Sequence, residues 1–196
     1  MSTLLVVSMH KERFMSKHAV LVVDLQKDYF PSGKLPLVDI EKAAANAARV
    51  IGAARANGNP VIHVRHEFAA QDAPFFVPGT EGVQIHPTVA PIEGEPVVLK
   101  NYPNSFLKTD LKPMLDAKGI EEVVVIGAMS HMCIDATSRA ASDFGYRTIV
   151  VHDACATMDL EFGGQVVPAA QVHAAQMAAL GFAYAAITTT DEYLAR

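Results

Sequence analysis

Three residues of complementary chemistry come at or just after the ends of apolar runs of the chain: Asp24, Lys100 and Cys133. A thiolate is a nucleophile, a carboxylate can take a proton and return it, and an ammonium stabilises a neighbouring anion. Cys133 is expected where a loop passes into a helix, so the helix dipole and a nearby Lys100 are expected to lower the pKa of its thiol. Together the three would suit attack on an acyl carbon that bears a leaving amine. The structural alternatives are that Cys133 is a small buried hydrophobe, Asp24 a helix or turn cap and Lys100 a solvated strand end.

The elements that would position these residues alternate along the chain between short apolar, β-rich runs and longer stretches of helical period. Such alternation is typical of a parallel sheet covered by helices. The predicted strands are residues 19–23, 61–65, 96–99, 123–126, 148–151 and 183–187. The predicted helices are residues 41–57, 109–118, 133–144, 169–180 and a short terminal helix that begins near residue 190.

The pattern predicts an α/β fold with an open, doubly wound sheet of six parallel strands, flanked by helices. In such folds, ligands bind beyond the carboxyl ends of the strands, at the point where the strand order reverses. Asp24, Lys100 and Cys133 are all expected at this edge. The connection formed by residues 67–94 is long and contains several prolines and glycines. Because long loops in compact domains are commonly functional, we expect this one to help select the substrate.

Composition limits the classes of function. The 196 residues are 51% hydrophobic and 19% charged, which suits one domain over residues 17–196, with residues 1–16 expected to be a dispensable extension. A net charge of -5 without a basic run argues against nucleic acid and membrane surfaces as partners. No apolar run reaches the ~18 residues that span a bilayer. Two cysteines without metal-ligand spacing favour a reducing compartment, and we expect a cytoplasmic protein.

Three segments carry a resemblance to a known family. Residues 127–146 (GAMSHMCIDATSRAASDFGY), with residues 151–154 (VHDA) after them, closely resemble the nucleophile region of the isochorismatase-like cysteine hydrolases. Residues 21–30 (LVVDLQKDYF) are similar to the family's first strand with its acidic residue, and residues 98–106 (VLKNYPNSF) are similar to its lysine segment. The resemblance extends over roughly residues 17–190 and keeps the family's order of Asp, Lys and Cys.

The resemblance implies a parallel six-stranded sheet flanked by helices and a catalytic triad. Cys133 would be the nucleophile, Asp24 the general base and acid, and Lys100 the cation that supports the thiolate. The resemblance also implies a cis peptide bond at Ala128-Met129, which would aim the amide hydrogens of Met129 and Cys133 at a developing oxyanion. A homodimer or homotetramer is implied as well.

The presence of Cys133 favours acyl transfer through a thioester, with a small amide or carbamoyl compound as substrate and no cofactor. Two alternatives stay open: vinyl ether hydrolysis of the isochorismatase type, whose branch can lack the cysteine, and a non-catalytic member that binds a small acid or amide. Nicotinamidases carry a cluster of Asp and His metal ligands shortly after the first strand. Residues 32–39 contain no histidine, which argues against a nicotinamidase and predicts no metal.

Several further residues are candidates for contact with the substrate. Phe30 and Phe76 are predicted to wall an apolar pocket, and His131 to contact the substrate beside the nucleophile, although packing roles are open for all three. His63 and His66 lie three residues apart on a predicted strand, so their side chains are expected on opposite faces of the sheet. We therefore interpret them as core or surface histidines and not as a shared metal site.

Overall fold

The computed structural model describes residues 17–70 and 72–196. Its strands are β1 (His18–Val23), β2 (Val61–His66), β3 (Val97–Lys100), β4 (Glu122–Ala128), β5 (Arg147–Ala156), β6 (Leu160–Phe162), β7 (Gln165–Val167) and β8 (Ala186–Thr188). Six of them form one sheet in the order β3-β2-β1-β4-β5-β8, and every neighbouring pair is parallel. The predicted doubly wound parallel sheet is thus confirmed.

Helices cover both faces of this sheet. They are α1 (Ile40–Ala56), α2 (Leu111–Ala117), α3 (Asp135–Asp143), α4 (Ala169–Ala183) and α5 (Thr190–Leu194). Buried side chains of α1 join one core cluster, and those of α2, α3 and α4 join the other. Strand β1 serves both clusters because alternate side chains point to opposite faces: Val20 belongs to the first and Leu21 to the second. Within the described residues, no helix combines the length and apolar character needed to cross a membrane.

The end of α4 differs from the prediction. The helix continues to Ala183 and the last strand covers only Ala186–Thr188, so the predicted strand at residues 183–187 is wrong in its first half. Gly181, the residue that follows the predicted helix 169–180, lies inside the observed helix. A Cβ atom at this position would come within 3.2 Å of Ile187 Cγ1, so the glycine instead allows β8 to pass close to the helix.

A small antiparallel hairpin of β6 and β7 precedes α4 and was not among the predicted elements. Each of its strands has three residues, which are too few to show a hydrophobic period in the sequence. The turn is formed by Gly163 and Gly164, whose φ angles are 58° and 77°, a region that glycine adopts without strain.

Candidate active site

The strand order reverses between β1 and β4, and the predicted residues gather at the carboxyl ends around this point. Asp24 follows β1 directly, and Lys100 is the last residue of β3. The segment that contains Cys133 follows β4. Lys100 is also aligned with His66 in the parallel pairing of β2 and β3, so these two residues stand side by side at the same edge.

The ammonium of Lys100 is the centre of a buried cluster. Its Nζ lies 2.7 Å from Asp24 Oδ2, 3.2 Å from Cys133 Sγ and 2.9 Å from His66 Nδ1. None of the four side chains is more than 5% exposed. The structure thus brings together the three predicted residues and adds His66, which the sequence analysis interpreted as a core or surface histidine.

The backbone around the cluster is shaped by tight conformations. Asp24 has a φ of 54° in the left-handed region. Gly127, near the end of β4, has a φ of 130°, and a Cβ atom there would lie 1.9 Å from the carbonyl oxygen of Val23. Only glycine therefore permits this close approach of β4 to β1. The peptide bond between Ala128 and Met129 is cis, as the resemblance implies.

The helix predicted to begin at Cys133 begins differently. Ser130–Ile134 form a short π-helical turn, and α3 starts only at Asp135. The amides of Met132 and Ile134 both donate to the carbonyl oxygen of Met129, which closes the turn. Cys133 therefore lies within the π turn, two residues before the first residue of α3.

The electrostatics of the thiol are the opposite of the expected ones. Burial, followed by the negative charge of Asp24, raises the pKa of the Cys133 thiol, and the nearby ammonium only partly offsets this. For Lys100, burial alone would lower the pKa, but the negative charge of Asp24 and, once the thiol ionises, that of Cys133 raise it. The site therefore holds an ammonium beside a protonated thiol at neutral pH, and the thiol needs a base.

Asp24 is suited to be that base. Apart from the ion pair with Lys100, the neighbour that can donate a hydrogen bond to the Asp24 carboxylate is the Cys133 thiol itself, so lone pairs are open to the proton of that thiol. Transfer of the Cys133 proton to Asp24 leaves the total charge of the cluster unchanged. Burial therefore does not oppose this internal transfer as it opposes loss of the proton to solvent.

Metal binding has one candidate group among the described residues. Asp24, His66 and Cys133 each offer a ligand atom, and these atoms lie within 4.8 Å of one another, a donor set of the kind that zinc accepts. The ammonium of Lys100 is within 3.2 Å of all three side chains. The space among the donors is thus occupied by a cation of the protein, which a metal ion would have to displace.

The three candidate substrate contacts have different surroundings. Phe76 is buried with its ring centroid 6.0 Å from that of His66, so it borders the cluster. Phe30 is buried and stacks on His86, with 3.6 Å between ring centroids, which is a packing contact. His131 is half-buried, and its Nδ1 lies 2.6 Å from Thr157 Oγ1.

Two residues near the cluster were missed as functional candidates. His66 could have been found from its place at the end of a strand next to the one that ends in Lys100. Tyr29 lies in the quoted segment 21–30. Burial, followed by the charges of Asp24 and Cys133, raises its pKa well above the ordinary value, and its ring lies 4.6 Å from that of Phe76.

Comparison with known proteins shows the family to which the chain belongs. A family model described as the isochorismatase domain matches residues 18–192. The chain is 52% identical over 176 residues to YddQ, an isochorismatase family protein of Bacillus subtilis, covering 90% of this chain and 98% of the relative. The crystal structure of an isochorismatase hydrolase from Oleispira antarctica matches with a TM-score of 0.90 at 55% identity, covering 93% of this chain and 98% of the other.

A relative with a stated reaction is also similar. Maleamate amidohydrolase of Pseudomonas putida is 31% identical over 157 residues, which cover 71% of this chain and 72% of the relative. The family match, the close relatives and the shared fold establish that this chain is a hydrolase that belongs to the isochorismatase family.

Proposed function

We propose that this protein cleaves a C–N bond of a small amide or carbamoyl compound through a thioester, with Cys133 as nucleophile, Asp24 as proton carrier and Lys100 as charge support. The observation that carries the proposal is the short distance from Lys100 Nζ to both Asp24 Oδ2 and Cys133 Sγ, 2.7 and 3.2 Å, within one buried cluster. The similarity to maleamate amidohydrolase, whose name states an amide substrate, supports the same bond class.

In the acylation half of the reaction, Asp24 takes the thiol proton and the Sγ of Cys133 attacks the acyl carbon. The carbonyl oxygen becomes an oxyanion, for which we propose the backbone amides of Met129 and Cys133 as donors. The C–N bond then breaks, and Asp24 returns its proton to the leaving nitrogen. Lys100 keeps its positive charge throughout. When the negative charge passes from Asp24 to the Cys133 sulfur, Lys100 stabilises it at both places.

In the deacylation half, Asp24 is again a carboxylate and takes a proton from water. The resulting hydroxide attacks the thioester, the C–S bond breaks, and the carboxylic product leaves. The proton on Asp24 returns to the Cys133 sulfur, so the resting cluster is restored without any external donor.

The test is a panel of small amides and carbamoyl compounds scored for ammonia release by the wild-type protein and by Cys133→Ala, Asp24→Asn and Lys100→Ala. We expect each variant to lose most of the turnover, and double variants to lose about as much as single ones because the residues act as a unit. Cys155→Ala is the matched control, since Cys155 is also buried but lies outside the cluster. Losses that simply add in free energy would contradict a shared mechanism.

The two alternative functions give different results in the same panel. Hydrolysis of a vinyl ether that survives Cys133→Ala would identify water, and not the thiol, as the attacking group. Stoichiometric binding of a small acid or amide without turnover of any panel member would identify a binding protein. The complete set of base, cation and thiol supports the enzyme, because a binding protein gains nothing from this combination.

The proposal includes two properties that rest on the resemblance and on the composition. One is assembly as a homodimer or homotetramer, which would add subunit contacts around the substrate pocket. The other is a cytoplasmic location, which a free catalytic thiol and the small number of cysteines support.

A further inference from the structure

His66 is held in one position by contacts that pin its backbone. The side chain of Gln26 donates from Nε2 to the carbonyl oxygen of His66 at 2.9 Å, and its Oε1 accepts from the amide of His66 at 2.8 Å. Gln26 is fully buried and also donates to the carbonyl oxygen of Val83, so it ties the end of β2 to the long connection after it. Two contacts from one side chain leave His66 little freedom to move.

Lys100 determines which tautomer His66 adopts. An ammonium can only donate, so the 2.9 Å contact from Nζ requires Nδ1 of His66 to be unprotonated. Burial, followed by the positive charge of Lys100, lowers the pKa of His66 to about 4, so the ring is neutral at pH 7. A neutral ring with a bare Nδ1 carries its proton on Nε2.

This Nε2 proton has no acceptor within residues 17–70 and 72–196, although the atom is buried. The ring is bordered by Phe68, edge-on at 4.7 Å between centroids, and by Phe76, whose side chains offer no oxygen or nitrogen. A buried donor without a partner is destabilising, so such groups call for an explanation. A ligand that supplies the missing acceptor is one such explanation.

We propose that His66 is a substrate-binding residue whose Nε2 proton is donated to an acceptor oxygen of the substrate while its Nδ1 holds Lys100 in place. The proposal rests on the proposed function and deepens it by naming the substrate class: an amide that carries a second carbonyl or carboxylate oxygen. The carbonyl under attack is already assigned to the amides proposed for the oxyanion, so the oxygen that His66 contacts is a second oxygen of the substrate.

Two substitutions separate the two roles of the ring. In His66→Asn the side-chain oxygen replaces Nδ1 and keeps the acceptor for Lys100, but the Nε2 donor is lost. In His66→Gln the side-chain amide reaches the position of Nε2 and keeps a donor, but the Nδ1 acceptor is lost. His63→Gln is the control, because His63 lies on the same strand with its side chain on the opposite face, in contact with Glu95.

The kinetic test compares succinamate with butyramide, two primary amides of equal chain length of which only the first has a second acceptor. For wild-type protein we expect kcat/KM to favour succinamate by about tenfold or more, which is one hydrogen bond of about 1.4 kcal/mol. His66→Asn is expected to lose this preference through a raised KM. His66→Gln is expected to keep part of the preference but to lower kcat for both amides, and His63→Gln to keep the preference in full. A preference that survives His66→Asn would overturn the proposal.

A second measurement does not depend on turnover or on the folding of variants. Nitrogen-15 NMR of the histidines in wild-type protein at pH 7 is expected to show His66 as the tautomer protonated at Nε2. The chemical shift of the Nε2 proton is expected to change when succinate is added. Three results would each refute the proposal: a ring protonated at Nδ1, a doubly protonated ring, or an Nε2 proton whose chemical shift does not change with succinate. If the tautomer and the shift are found but no amide releases ammonia, the proposed function fails and the binding role of His66 stands.

Discussion

The ion pair between Lys100 and Asp24 gives the largest effect on stability that can be worked out from the structure. The two charged atoms are 2.7 Å apart, and neither side chain is exposed. At the effective dielectric constant of about 20 that suits proteins, two unit charges at this distance attract by about 6 kcal/mol. Much of this attraction offsets the cost of burying both ions, but removal of one partner leaves the other buried alone, which costs about 3–5 kcal/mol.

We therefore expect Lys100→Met to lower the free energy of unfolding by about 3–5 kcal/mol, measured by urea denaturation at pH 7. Asp24→Asn is expected to cost a similar amount because it leaves the ammonium unpaired. The double variant should lose far less than the sum, since no buried charge is then left alone, and the cycle should give a coupling energy on the order of 3 kcal/mol.

A matched control separates burial from mere proximity. Lys112 and Asp116 form an ion pair at 2.6 Å on the surface of α2, where their side chains are 39% and 50% exposed. Because solvent screens this pair, Lys112→Met is expected to cost no more than about 1 kcal/mol. Equal losses for Lys100→Met and Lys112→Met, or a coupling energy below about 0.5 kcal/mol in the cycle, would refute the reasoning.

Three further predictions follow from the same cluster and its surroundings. Exhaustive chelation is expected to leave turnover unchanged, because Lys100 supplies the cation. Iodoacetamide should abolish turnover and, by peptide mass mapping, modify Cys133 before Cys155, because Asp24 can accept the proton of Cys133 whereas Cys155 lies outside the cluster. A chelator-sensitive activity that resists alkylation would contradict this. Burial raises the pKa of Cys155 from 9.0 to about 12, so the folded state retains a proton that the unfolded chain loses. The free energy of unfolding should then fall between pH 9 and 12 by up to ~1.4 kcal/mol per pH unit, and the fall should be smaller in Cys155→Ala. Light scattering at micromolar concentration should report a particle larger than the 21.0 kDa chain, and a 21.0 kDa particle would exclude the proposed oligomer.

Much of the fold and the grouping of Asp24, Lys100 and Cys133 could be predicted because both depend on local patterns. Buried parallel strands are continuous apolar runs, and the residue after such a run lies at the carboxyl edge of the sheet wherever the strand falls in the order. This is why Asp24 and Lys100 could be assigned to one edge before the strand order was known. Cys133 could be included because the segment around it carries the family resemblance.

The features that were missed depend on contacts across the sheet. The sequence places His66 at the end of a strand, but its role depends on its register with Lys100, and that register becomes known only when the two strands are paired. The direction of the pKa shift at Cys133 depends on how far burial and Asp24 outweigh Lys100, which only the packed cluster decides. Gly181 shows the same limit, since its neighbour Ile187 comes from the following strand.

The most direct test of the thioester mechanism is the intact mass of the protein, quenched in acid during turnover of an amide that releases ammonia. The mechanism predicts a species heavier by the acyl part of the substrate less one hydrogen, with the added mass on the peptide that contains Cys133. The same species should be absent from Cys133→Ala, which should also have lost turnover. Ammonia release by Cys133→Ala at the wild-type rate, or an adduct on any other residue, would contradict the mechanism.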